Sequence, residues 1–171
     1  MSTTFSVNYS SNTPITLDLS SMSGNSTFVQ GRESNEVDNT VNLYQDCIVN
    51  VKGITGHAST APSIGQEIRV CVWGADTSLA SVPIDSLDGT DSAETLSHVS
   101  VLNSLRLAGA AAVTVGTAGL VYYIQPFSIA SLFGGVIPKF WGLYVSHNHN
   151  GALAAAQSAL FSYNGIKTIG N

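Results

Sequence analysis

Apolar and polar residues alternate with a period of two along much of the chain. Phe5, Val7 and Tyr9 alternate with Ser6 and Asn8, and Ile15, Leu17 and Leu19 with Thr16 and Asp18. Ile68, Val70 and Val72 alternate with Arg69, Cys71 and Trp73, while Val99, Val101, Leu105 and Leu107 flank Ser100 and Arg106. Successive side chains of a strand point to opposite faces, so each run offers one apolar face to a core. The same reading predicts strands over 41–52, 112–115, 120–125, 140–146 and 160–163.

Turn-rich breaks separate these runs: SSMSGNS (20–26), HASTAPSIG (57–65) and GADTSLASVPIDSLDGTDSAE (74–94). A loop as long as 74–94 is unusual in a compact domain and often carries function, so it is expected to touch a partner, with Leu79 as a contact residue. One short helix is expected near 128–134, closed by Gly134-Gly135. The pattern contains no long amphipathic helix, no internal repeat and no linker. It predicts an all-β chain forming a single domain over 1–171, a β-sandwich or jelly-roll-like arrangement. The stretch Thr3–Leu19 has no obvious hairpin partner. Residues 1–19 are therefore expected to form an arm that contacts a neighbouring subunit, donating Phe5, Val7 and Tyr9 to its sheet edge.

At 171 residues the chain is long enough to bury a core without metal or disulfide support. Cys47 and Cys71 fall in predicted strands and read as small buried free thiols; they could pair only if those strands are neighbours. Only 10% of residues are charged, against about 25% in an average domain. Ser, Thr and Asn supply 49 of the 171 residues, giving a surface that hydrates without strong repulsion and suits packing against other protein. All eleven acids lie between Asp18 and Glu94, with three bases beside them, and the last 77 residues carry only Arg106, Lys139 and Lys167. The two regions could meet on neighbouring copies or mix within one sandwich. The acidic balance argues against nucleic acid as a partner. The uncharged run 107–138 is broken by glycines and Pro126, which argues against a membrane span. The start, MSTTFSVNYS, has neither the basic region nor the apolar run of a signal peptide.

The stretch YVSHNHNGALAA holds the most suggestive chemistry. In an extended strand His147 and His149 share a face and could grip one metal ion. Zinc needs further ligands, however, and no acid or cysteine follows. His57, His98 or an acid from the first half would have to complete the set. A cupin-like metalloenzyme would need a Glu shortly after the pair, where Gly151, Ala152 and Leu153 stand. Asn150-Gly151 fits a type I′ turn, so these histidines are expected to be exposed on a hairpin that leads into a strand starting near Ala152. Asp85, Asp88, Asp91 and Glu94 around Gly89 suggest a calcium loop, but without EF-hand spacing. Trp73, Trp141, Tyr122 and Tyr123 could form a carbohydrate platform, or pack in the core and, for Trp73 and Trp141, a subunit interface. No catalytic or cofactor-binding motif is present: Gly-x-Ser-x-Gly, phosphate-binding loop and HExxH are all missing.

The segment FGGVIPKFWGLYVSHNHNGALAAAQSALFSYNGIKT (133–168), with LNSLRLAGAAAV (102–113), resembles small virion proteins of tailed bacteriophages. The resemblance lies in a Pro-x-aromatic-Trp-Gly strand, an Asn-Gly hairpin, an Ala-rich strand and a closing Tyr-x-Gly segment. It covers about a third of the chain and carries no catalytic residue. It implies a β-sandwich head-decoration, or cement, protein on the outer capsid surface, made in the host cytoplasm and bound to the major capsid protein. A tail component or a host-binding module is the alternative. Such proteins act as homo-oligomers, with a trimer favoured over a dimer.

Overall fold

In the computed structural model, which describes residues 5–170, the period-two runs become antiparallel strands. The chain opens with β1 (Phe5–Tyr9), β2 (Thr13–Ile15), β3 (Gln30–Glu33), β4 (Val37–Asp38), β5 (Asp46–Val51), β6 (Ile54–Thr55) and β7 (Glu67–Ala75). There follow β8 (Ser92–Thr95), a 3-10 segment (Val99–Ser104), β9 (Arg106–Ala112), β10 (Val121–Tyr122) and β11 (Phe127–Ser128). The helix α1 (Ile129–Leu132), β12 (Phe140–His147) and β13 (Phe161–Gly170) complete it. One sheet has the order β1–β13–β5–β11, with β2 also on β13; a second runs β8–β3–β12–β7–β9, with β4 on β12; β6 and β10 form a small third sheet. The fold is all-β and sandwich-like.

The two large sheets share a core. Val49, Phe161 and Tyr163 from the first meet Val70, Val72, Trp141, Leu143 and Val145 from the second. The Trp141 and Tyr163 rings meet edge to face, 5.4 Å apart. The other face of the second sheet is also covered. Cys71, Trp73 and Tyr144 pack there against Leu79, Leu87, Leu96 and Leu105. Strands β7 and β12 are thus buried on both faces, which is why they read as nearly continuous apolar runs.

This packing corrects the expected placement of three residues. Trp73 and Trp141 are fully buried on opposite faces of one sheet, and Leu79 is buried in the second core, so none of the three presents a surface to a subunit. The 74–94 loop folds back over its own sheet through Leu79 and Leu87, while residues 80–83 stay exposed. Within the chain, β1 and β2 of the N-terminal segment both hydrogen-bond to β13, and Leu17 and Leu19 enter the core, while the outer edge of β1 stays open. Thr3 and the rest of 1–4 lie outside the described residues.

The short helix forms where local chemistry predicts it. The Ser128 hydroxyl accepts from the Ser131 N–H, Gly134 takes a left-handed φ of 73°, and the Gly135 N–H reaches back to the Ala130 carbonyl at 2.8 Å. The expected hairpin does not form. After β12 the chain crosses to the other sheet before β13, neither Asn150 nor Gly151 has positive φ, and 152–156 is not a strand. The Asn150 amide instead bridges Gln66 and Ser63. Gly151 lies so close to the 57–60 loop that a Cβ would meet Thr60 at 2.9 Å. The Pro138–Gly142 and Tyr163–Gly165 parts of the virion-protein pattern do lie in or lead into strands; its hairpin and Ala-rich strand are replaced by a crossover loop. Cys47 and Cys71 are free, buried and in different sheets. No helix among the described residues is long and apolar enough to cross a membrane.

Candidate functional site

The histidine pair is not exposed: His147 and His149 are both buried, contrary to the hairpin expectation. His147 closes β12 facing the core. Its Nε2 lies 2.9 Å from the Met22 carbonyl, which can only accept, so Nε2 carries the proton. Its Nδ1 then accepts the backbone N–H of His149 at 3.2 Å. Both ring nitrogens are used, and the one lone pair, on Nδ1, is engaged by that N–H. Gly24 makes this fit possible, since a Cβ there would lie 2.8 Å from the His147 ring. The ring of His149 rests against those of His147 and Tyr122, each with centroids 5.1 Å away, and its Nε2 has no hydrogen-bond partner. Burial, and then the nearby His147, lower the His149 pKa to about 4; burial also lowers that of His147. Both are structural, neutral imidazoles at pH 7.

The other ligand candidates are dispersed. His57 Nδ1 accepts from the Thr60 N–H at 2.8 Å, and His98 caps the 3-10 segment through Ser100. Asp85 accepts from the Ser97 N–H, Asp88 closes a turn on Thr90, Asp91 pairs with Arg32 at 2.8 Å, and Glu94 accepts from the Ser92 hydroxyl. No three His, Cys, Asp or Glu side chains converge among the described residues.

Two acids that sequence reasoning missed organise the long loop. Glu33 is fully buried, and its two oxygens accept the N–H groups of Asp88 (2.9 Å) and Gly89 (3.1 Å). Glu36 accepts the Leu79 N–H at 2.8 Å. Burial raises the Glu33 pKa to about 7 against the opposing pull of those N–H groups. Gln157 was missed too. Its buried amide accepts from the Thr55 N–H at 2.6 Å and donates to the Thr55 carbonyl at 2.7 Å, standing in for a strand partner. A glutamine in an Ala-Ser stretch gives no local sign of this.

The surface also carries exposed apolar residues. Phe5, Val7 and Tyr9 are exposed to 68%, 61% and 63%. A second patch surrounds an open groove of about 520 Å³, lined by Leu43, Tyr44, Val136 and Ile137 together with Asn39, Thr40, Gln45, Gly135 and Lys139. Leu43 and Val136 stand 71% and 72% exposed there. Leu43 is held at a φ of 53°, a region costly for a bulky residue. Asn39 enforces it, bonding the Tyr44 N–H at 2.8 Å and the Tyr44 carbonyl at 3.0 Å. Strained backbone thus presents an apolar side chain to solvent.

No protein-family model matches the sequence, and no curated protein and no solved structure matches it.

Proposed function

We propose that this chain is a structural virion protein, a capsid decoration or cement protein that binds the major capsid protein on the outside of a head and bridges capsomers. The observation that carries the reading is the apolar surface: Phe5, Val7 and Tyr9 on a strand, and Leu43 held outward beside Val136 over a groove. Isolated exposed apolar residues are ordinary, but clustered ones beside strained backbone favour protein contact. Low charge supports it, because repeated like charge across a lattice would repel. The resemblance of 133–168 to small phage virion proteins supplies the kind of partner.

A carbohydrate-binding role has less support, because Trp73 and Trp141 are buried and only Tyr123 of the proposed platform stays well exposed. The test is the protein composition of purified virions from the source. The chain should be found in many copies per particle, on heads, and particles lacking it should release their DNA at lower temperature. Its presence on tails would move the role to a tail component; its absence from virions would refute the reading.

A further inference from the structure

We infer that the free edge of β1 is a two-fold contact through which one copy of this chain pairs with a second. The inference rests on the contact-surface reading above and names the occupant of one of its patches. β1 ends its sheet: one side pairs with β13, and no strand among the described residues pairs with the other. The direction of the backbone groups follows from the ladder. The Ser10 N–H bonds to the Gly165 carbonyl at 2.8 Å, so the backbone of Ser10 faces β13, and by alternation so do Asn8 and Ser6. The Ile166 carbonyl, opposite Tyr9, points the other way, to the Gln45 N–H. The N–H and C=O groups of Phe5, Val7 and Tyr9 therefore face the open edge.

The sequence of β1, Phe-Ser-Val-Asn-Tyr, reads the same in both directions by character: aromatic, polar, valine, polar, aromatic. Antiparallel pairing with a second copy, centred on Val7, sets Phe5 opposite Tyr9 of the second copy, Val7 opposite Val7, and Tyr9 opposite Phe5. The same residues whose backbone groups face outward become the hydrogen-bonded pairs, so every outward N–H and C=O of the strand is satisfied in one register. The apolar side chains of both copies then form one strip, with aromatic residues across from each other. β1 carries no charge, proline or bulge of the kind that blunts an edge, and all five of its residues are exposed. Shifting the register by two residues leaves an aromatic ring and a hydrogen-bonding pair unmatched.

The size of the contact sets its strength. The exposed parts of Phe5, Val7 and Tyr9 with the strand edge amount to roughly 400–500 Å² per copy, about half of the ~800 Å² per partner in a stable complex. The pairing is therefore weak between free chains and becomes effective where a lattice holds copies side by side.

A residue that faces itself across a two-fold axis can be tested by charge. Sedimentation velocity of the full chain over a range of concentrations should show a reversible monomer–dimer equilibrium. Val7→Lys and Val7→Glu, exposed in the monomer and each opposing its own charge in the dimer, should each weaken self-association at least tenfold with unchanged circular dichroism. An equimolar mixture of the two should restore it. A native chain that stays monomeric throughout, dimers indifferent to either charge, or a mixture no tighter than its components would overturn the inference. Its failure with the chain still found on virions would leave the proposed function standing; dimers of a chain missing from virions would refute only that function.

Discussion

The Nδ1 of His147 accepts the backbone N–H of His149 at 3.2 Å, which turns a two-histidine motif into a folded-in brace. The consequence is acid sensitivity. A His149 pKa of about 4 in the folded chain lies below the ordinary 6.5, so unfolded chain binds the proton first as pH falls. His149 should remove nothing above pH 7, and progressively about 3 kcal/mol of stability between pH 6.5 and 4. Urea unfolding of His149→Phe at pH 8 and at pH 5 should show a smaller loss between the two pH values than the native chain shows.

Glu33 acts in the opposite sense. Its folded pKa of about 7 lies above the ordinary 4.5, so the folded chain holds the extra proton and gains stability as pH falls from 7 toward 4.5. The full effect is about 3 kcal/mol, and it offsets the histidines. Glu33→Gln removes the offset. Its stability should drop more steeply than that of the native chain from pH 7 to 4.5, read from the same unfolding curves.

Gly24 sits where a Cβ would come within 2.7 Å of the His149 carbonyl and 2.8 Å of the His147 ring. Neither can retreat, because the ring is bonded at both nitrogens. Gly24→Ala should cost about 1–3 kcal/mol, visible as a melting temperature lower by several degrees.

Cys47 and Cys71 are shielded, and burial pushes their thiols up to about 12 and about 11. Little thiolate exists at pH 8, so iodoacetamide should leave both unlabelled in the native chain and label both in urea. Rapid native labelling of either would show that its sheet opens.

What could be read in advance was what local chemistry decides. The alternation in β1 and the Ser128 and Gly134-Gly135 caps of the short helix act through neighbours in sequence. The hairpin at Asn150-Gly151 misled because its turn chemistry is permissive, whereas the crossover is fixed by contacts far away. Gln157 pairs with Thr55, and His147 with Met22, across more than a hundred residues. The loop after β7 looked free because its anchors, Glu33 and Glu36, lie more than forty residues upstream. For the surface, Phe5, Val7 and Tyr9 were legible as an unpaired apolar face. Leu43 was not, since its exposure follows from a turn clamped by Asn39.

The central claim is that this chain works through contact surface. Co-sedimentation of purified chain with heads stripped of it tests that claim most directly. Saturable binding is predicted, with Leu43→Asp and Val136→Asp together reducing it at least tenfold while the melting temperature holds. Chain that stays in the supernatant at every concentration, or binding indifferent to those substitutions, would contradict it.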